Sequence, residues 1–466
     1  MPRAPFAFSA YQNRALPVSA QRLINCYAEK QPQGAKGDII LLPTPGMDAF
    51  VTAGTGPIRG MVELAGLLIV VSGVEVYRVS FDGVATLIGT VENGGPVSLA
   101  VNSAQALIVV PESGRGWIAT TSTVTAITDV DFPVATSATY IDGYFIVTEA
   151  NTGDFHVSAL DDGTTWNGDV ANAERSPDNL VRALRVGSVL WLIGDKTTEI
   201  WSNQGASDFP FLQVSGAFIE RGTAARFSAA ARLGTLFWLG DDRVVYRSDN
   251  FSPTRISNHA IEQAIAGYAV VSDAVGGIYE QEGHVFYLLT FPTQGVTWVY
   301  DGKEGFWHER ESEGYSGYRC QHFANFAGAA VGGDSSTGEL YTLSPLAATE
   351  DGDRIIRVAT GYPFHAESRR VFYSALVAEF ERGASAYAST DPAGIDGNVW
   401  LTVSDDGGRT WGAERWRTLG FQGDYRGRVV WHRLGSARER VFRLQWSDPV
   451  RTVLIAAVFE YEPGQS

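Results

Sequence analysis

The chain is poor in cysteine, in long apolar runs and in grouped histidines, and each shortage removes a class of protein. Its only cysteines, Cys26 and Cys320, are far apart in sequence, so there is no framework for a small disulfide-stapled scaffold, and assembly in a reducing cytosol fits. No stretch approaches the ~18 uninterrupted apolar residues of a membrane span, and no basic segment leads into an apolar core at the N-terminus. The chain therefore reads as soluble, non-secreted and not membrane-spanning. The seven histidines form neither HExxH nor any close pair, and no cysteine pair has ligand spacing, so no metal site is expected. GTGPIRG (Gly54–Gly60) misses GxGxxG by one residue, no GK[ST] follows a glycine run, and GYSGY (Gly314–Tyr318) lacks the second glycine of a nucleophile elbow. No cofactor and no catalytic residue are expected. Helical periodicity is just as scarce: the one convincing patch is HAIEQAIAGY (His259–Tyr268), with Asn258 as N-cap and Gly267 near its end.

Basic charge is the next shortage. The net charge is −16, with +4 over residues 1–36 and thirteen arginines against thirteen acids from Tyr362 onward, which leaves about −20 for 37–361. A body this acidic is no clamp for nucleic acid, because phosphate-neutralising affinity needs clustered Lys and Arg. It suits solubility, or a surface that polyanions pass without sticking.

What the chain does have is a repeat. Hydrophobic residues at 45%, 51 glycines and abundant aromatics describe a turn-rich β protein. Seven copies of strand, polar turn and aromatic-bearing strand begin with GLLIVVSGVEVYRVSF at Gly66 and end with FAGAAVGGDSSTGELYTLS at Phe326. The aromatics fall at Tyr77, Trp117, Phe155, Trp201, Tyr246, Tyr300 and Tyr341, at intervals of 40, 38, 46, 45, 54 and 41 residues. This is the spacing of β-propeller blades, whose hairpins must stack radially to bury both faces. The helical patch falls in the longest interval and reads as an insertion between blades. The glycine-rich seventh copy reads as a degenerate closing blade, completed by a strand from near Asp38–Val51.

The expected architecture is all-β: an extended N-terminal arm (1–37), a propeller of about seven blades (38–344), a polar linker (345–361) and a C-terminal antiparallel β-sandwich (362–466). The arm docks on an acidic neighbour or folds back on its own propeller; both readings stand. The sandwich strands are read at 371–381, 398–406, 428–435, 440–448 and 452–462, with Phe442, Leu444 and Trp446 on one face of their strand.

The sharpest local motif is SDDGGRTW, which fits the Asp-box pattern S-x-D-x-G-x-T-W at Ser404, Asp406, Gly408, Thr410 and Trp411. ALDDGTTW (Ala159–Trp166) fits with Ala159 in the serine place. Its physical content is a turn: Asp accepts N–H bonds, Gly supplies positive φ, and Trp packs the turn onto the sheet. Asp boxes resemble those of sialidases and other propeller glycosidases, where they are structural. A sialidase would add an arginine triad, a Tyr–Glu pair, an acid and an Arg-Ile-Pro signature. FSPTRIS (Phe251–Ser257) has those letters in the wrong order, and Arg175, Arg182 and Arg185 read as surface charges.

RLINCYAE near the start, the PTPG turn before the first blade, the blades, and a C-terminal domain holding VSDDGGRTW and ending FRLQWSDPVRTVLIAAVFEYE together resemble the packaged-DNA stabilisation proteins of short-tailed bacteriophages, the tail hub or nozzle family. The resemblance spans nearly the whole chain. It implies a non-enzymatic virion protein, assembled in the host cytoplasm and repeated as a six-fold ring below the portal and head–tail adaptor. That ring would extend the DNA channel, help retain the genome, pass DNA without sequence-specific binding, and present surfaces to a tail needle, tip or spikes. Within the basic arm, Arg14, Arg22, Asn25 and Tyr27 are the candidate adaptor-docking residues. Two readings from other classes remain: a propeller glycosidase or glycan-binding protein, and a monomeric propeller scaffold that binds peptides.

Overall fold

The computed structural model describes residues 6, 8–173, 175–206, 208–367, 369–381, 397–420 and 428–464. Each sequence copy supplies the two middle strands of a four-stranded antiparallel blade. Blade 1 runs Ile58–Leu64, Leu67–Ser72, Glu75–Val79 and Ala85–Thr90. Blades 2 to 6 open with Ser98–Val101, Ala135–Ile141, Leu180–Val186, Ala230–Arg232 and Val275–Gln281 and repeat the order. Blade 7 takes three strands, Cys320–Phe326, Ala329–Asp334 and Glu339–Ser344, and borrows its fourth, Gly46–Thr52, from the N-terminal region. The first strands of successive blades touch around a closed ring, with blade 7 against blade 1. The borrowed strand therefore closes the circle with main-chain hydrogen bonds, Ser344 opposite Gly46 and Leu343 opposite Met47.

Packing explains the repeat. The second strand of each blade is covered on both faces, as for Leu68, Ile69, Val70 and Val71, which are fully buried, so its sequence is a continuous apolar run. The third-strand aromatics fill the seams: Trp117 packs with Ile69 and Val71 of blade 1, and Trp201 meets Phe155 edge-on at 5.1 Å. In five blades the turn between the first two strands pairs a non-glycine at φ near +50° with a glycine, as in Asp142–Gly143 (φ 50° and 92°) and Glu282–Gly283 (48° and 81°). Two consecutive left-handed residues make the hairpin turn whose twist matches the strands. The helix His259–Ala266 sits between blades 5 and 6, capped by Asn258, whose side chain accepts from Ile261 N at 3.0 Å, and it accounts for the long interval.

The C-terminal domain is a sandwich around Trp431, Trp446, Leu376, Leu444 and Phe459. One sheet orders Arg357–Thr360, Glu439–Trp446, Gly397–Ser404 and Arg415–Gly420; the other places Val429–Ala437 beside Val371–Glu381 and then Val453–Pro463. Phe442, Leu444 and Trp446 all point into the core. The strand Arg415–Gly420 has no counterpart in the sequence reading, because four of its six residues are exposed and it shows no apolar period. Its edge carries Arg415 and Arg417 around an exposed Trp416, and charge at an edge discourages strand addition.

Two segments differ from their simplest reading. Of the two readings of the arm, the structure takes the folded-back one. Ala20–Ile24 lies between the last strand of blade 6 and Arg357–Thr360, so blade 6 and one sandwich sheet form a single 11-stranded sheet. Cys26–Lys30 and Ile39–Pro43 pair with each other and continue the other sandwich sheet through Leu41 beside Leu454. The stretch 345–361 is likewise more than a polar linker. Glu350 lies in register with Met47 of the closing strand, and Glu350, Ile355 and Arg357 are buried. Polar composition misleads there because Asp351, Asp353 and Arg354 are exposed at a turn, whereas Glu350 is buried against Arg310 and Arg357 enters the core.

Candidate functional site

The arm residues converge on the seam where propeller and sandwich meet. Arg22 donates to Glu309 through Nε (3.0 Å) and Nη2 (2.6 Å), and through Nη2 to Glu311 (3.2 Å). Burial alone would lower its pKa, but the bonds and charges of Glu309 and Glu311 outweigh burial and raise it. At Asn25 the chain leaves one sheet for the other. The residue sits at φ 53°, a left-handed conformation that Asn tolerates better than most side chains. Its Nδ2 donates to the Glu311 carbonyl (2.8 Å) and the Ile356 carbonyl (2.9 Å), and its Oδ1 accepts from Glu311 N (3.1 Å). One side chain thus ties the arm, blade 6 and the 345–361 segment together. Tyr27 is 1% exposed and packs edge-on against His284 and Phe286 at 5.2 and 5.0 Å.

Of the four candidate docking residues, Asn25 and Tyr27 present no side-chain surface to a neighbour, and Arg22 spends its guanidinium on two internal glutamates. Arg14 is exposed and lines a cleft of about 660 Å³ with Tyr11, Asp242, Arg243, His259 and Glu262. The four candidates therefore do not share one exposed surface: Arg14 lies on the rim of that cleft, while Arg22, Asn25 and Tyr27 are engaged within the fold. The physical reason is that strand-forming residues beside two open sheet edges are drawn into the sheets.

Beneath Tyr27 lies a set of buried ionisable groups. His284, fully buried, bridges Asp301 (Nδ1, 2.7 Å) and Glu29 (Nε2, 3.1 Å). Burial opposes its charge, but Asp301 and then Glu29 outweigh burial, so its pKa is raised. His308 is the opposite case: burial, aided by the Arg310 charge, lowers its pKa to about 3. Arg310 places its guanidinium 4.0 Å from the Tyr318 ring centre and donates to Glu350 and to the Pro45 carbonyl, both at 3.2 Å. Arg357, 1% exposed, forms no ion pair among the described residues, and burial lowers its pKa to about 10. Burial also pushes the Cys26 thiol up to about 12, so it stays protonated. None of Glu350, Arg310 and Arg357 is singled out by the sequence reading. The available signal is the alternation in RIIRVAT (Arg354–Thr360), which puts an arginine at a strand position that faces inward.

The Asp boxes are turns. Asp406 accepts from Arg409 N, Thr410 N and Thr410 Oγ1 (2.9, 2.9 and 2.6 Å) and from Ser404 Oγ (2.7 Å), and these bonds, led by Thr410, lower its pKa. Gly408 has φ 94°, and Trp411 lies under the Arg443 guanidinium at 4.1 Å. The turn also packs on the arm: a Cβ at Gly407 would meet Pro17 at 2.8 Å. In the second box the pattern's aspartate, Asp161, accepts from the Tyr140 hydroxyl instead, the neighbouring Asp162 caps Thr164 and Thr165, and Trp166 is buried. Arg175, Arg182 and Arg185 do not form a carboxylate clamp: the first two lie over Phe218 and Phe227, and Arg185 donates to the Gly187 carbonyl. Among the described residues no group of three or more His, Cys, Asp or Glu could hold a metal. No helix among them is long and apolar enough to cross a membrane.

The profile described as bacteriophage P22 Gp10, beta-propeller, matches residues 5–348, and that described as bacteriophage P22 Gp10, beta-sandwich, matches 363–462. The chain belongs to the bacteriophage P22 Gp10 family. It is therefore a packaged-DNA stabilisation protein by family and a structural protein of the phage virion, and the propeller-plus-sandwich fold is that of the family. The propeller profile includes the arm, whose strands in the structure join blade 6 to both sheets of the sandwich. No curated protein matches the sequence. Solved structures of similar fold include the computationally designed Ika8 protein (9% identity, TM-score 0.41, 64% of this chain and 99% of that one). Others are the N-terminal domain of Nup159 (8%, 0.41, 68% and 97%) and the Cps50 (Swd1) β-propeller of Myceliophteria thermophila (8%, 0.43, 64% and 99%).

Proposed function

We infer that copies of this Gp10-family chain form a ring, six-fold in the reading the resemblance supports, below the portal and head–tail adaptor of a short-tailed phage. The ring extends the DNA channel and holds packaged DNA in the head. The observation that carries this reading is the welding of arm, propeller and sandwich through one continuous sheet and a buried charged seam. A subunit that resists the pressure of a packed genome needs rigidity between its domains, and a hinged two-domain chain would lack it.

The acidic propeller supports passage of DNA without capture, since it offers phosphates no clustered cations. The duplex would run through the lumen between subunits: the propeller's own tunnel has a volume of about 330 Å³, the size of a small-ligand site. Lateral contact is best served by blade 1, whose outer hairpin exposes Phe81 (75%), Val84 (55%) and Leu87 (50%) together. Adaptor contact falls to the Arg14 rim, and the free end of the ring meets the needle, tip or spikes. Assembly takes place in the host cytoplasm and the finished protein resides in the tail. Deleting residues 1–36 would pull strands out of two sheets, so Arg14→Glu is the cleaner probe of docking.

The test is genome retention. Particles packaged without this chain should lose DNA on standing, and adding back purified protein should stop the loss. Stable retention in its absence would overturn the reading.

A further inference from the structure

The tunnel at the propeller's centre carries a charge that the wall function does not use. Its wall is apolar at Met61, Leu99 and Phe323 and bears three ionisable side chains, Arg182, Arg232 and His322. Arg232 is neutralised, pairing with Glu280 and donating to the Asn325 amide oxygen. Arg182 is not. Its Nη1 donates to Ser98 Oγ at 3.0 Å and its guanidinium stands 5.5 Å from the Phe227 ring centre, but its Nε is buried without a hydrogen-bond partner. No ion pair joins Arg182 to any acid among the described residues.

Its neighbour makes matters worse. Arg226 donates from Nε to the carbonyl of Val181, next along the strand, at 3.2 Å and adds a like charge. Glu112 offsets the charges of Arg59 and Arg226, whereas the charge acting on Arg182 is that of Arg226, and with burial it lowers the Arg182 pKa to about 10. The group stays cationic at neutral pH. Arg182 as a residue is half-buried, but its Nε is shielded from solvent, and a shielded cationic N–H with an unmade hydrogen bond and no counter-charge among the described residues is destabilising unless an anion joins it. The cavity of about 330 Å³ has the volume of roughly ten liquid waters, enough for a small oxyanion that keeps part of its hydration.

We propose that the central tunnel of the propeller binds a free oxyanion of the inorganic-phosphate type, with Arg182 as its principal ligand through Nε and the remaining guanidinium N–H groups, and His322 as a second donor from the wall. His322 is kept neutral by burial and the Arg59 charge, which lower its pKa to about 4, and a neutral imidazole still has one N–H to give.

The experiment uses the full chain in phosphate and in chloride at matched ionic strength. Phosphate should raise the melting temperature of the wild type in a saturable way. Arg182→Gln should weaken phosphate at least tenfold by calorimetry. Arg182→Met, which removes the uncompensated charge, should match or exceed the wild-type melting temperature in chloride and gain nothing from phosphate. The His322 ring resonances of the wild type should shift with the same saturation curve, a readout that needs no variant to fold. Equal phosphate affinity in Arg182→Gln overturns the assignment, as does a wild type indifferent to phosphate or a His322 ring that stays still. Displacement of phosphate by a single-stranded oligonucleotide would overturn the free-ion reading.

Discussion

Replacing Glu350 by Gln tests the seam most severely, because among the described residues Glu350 is the one carboxylate in contact with Arg310. In the wild type both side chains are at most 1% exposed and meet at 3.2 Å. The substitution keeps the shape and removes the charge. Arg310 then retains the Pro45 carbonyl, the Tyr279 hydroxyl and the Tyr318 face, none of which carries a full negative charge, and buried Arg357 loses the carboxylate that favours its charged form. Breaking a buried pair from one side costs about 3–5 kcal/mol, much of it the penalty of the stranded charge. At ~2–4 °C per kcal/mol for a cooperative unit of a few hundred residues, the melting temperature should fall by roughly 6–20 °C. The assay is equilibrium urea denaturation followed by tryptophan fluorescence, with melting by calorimetry alongside. A control isolates the cause: Glu350→Leu combined with Arg310→Met removes both charges, and should lie much closer to the wild type than Glu350→Gln does. A single variant within about 1 kcal/mol of the wild type, or a double variant no better than the single, would refute the argument that a charged seam locks the domains.

Other consequences can be measured on the same protein. Asn25→Ala should destabilise by about 3–5 kcal/mol, through unmet carbonyls and left-handed strain, while Asn25→Gly should recover about 1 kcal/mol of it; equal losses in the two would remove strain from the account. The two histidines beside Tyr27 act in opposite directions. His284 has a raised pKa, so its stabilisation is complete below the unfolded value of ~6.5 and is lost as pH rises through the folded pKa, and His284→Gln should abolish that alkaline decline. His308, lowered to about 3, contributes stability that is present above ~6.5 and lost on acidification toward 3, at up to about 1.4 kcal/mol per pH unit; His308→Phe should flatten this acid limb in stability-versus-pH profiles. Asp406→Ala should loosen the 405–411 turn, seen as faster amide exchange at Arg409 and Thr410, without changing assembly. Phe81→Glu with Leu87→Glu should leave the monomer's melting unchanged and prevent ring formation in sedimentation.

The propeller was legible because each blade repeats two physical requirements, a doubly covered apolar strand and an aromatic to fill the seam, at nearly constant spacing. Even the closing strand could be inferred, since the glycine-rich seventh copy lacks a fourth strand and an unused segment precedes the first. Inner and outer strands were harder to see: Ser98–Val101 has only four residues and buries a serine and an alanine, and Ala85–Thr90 is half-exposed, so no apolar period shows. The arm and the 345–361 segment misled for a related reason. Local composition reports whether a residue prefers water; Arg22 and Glu350 satisfy that preference with partners about 290 and 40 residues away, and Arg357 is buried without doing so, which no local signal reveals. The Asp boxes, by contrast, are local in sequence and in space, and Ser404 to Trp411 could be read as a turn from the motif alone.

Electron microscopy of the purified chain mixed with its phage's portal–adaptor assembly tests the central claim most directly. The account predicts a closed ring of six copies below the adaptor, with propellers side by side through the Phe81 hairpin, a lumen wide enough for duplex DNA between the subunits, and loss of attachment in Arg14→Glu. Monomers that ignore the adaptor, or an assembly whose only axial opening is the tunnel of a single propeller, would contradict it.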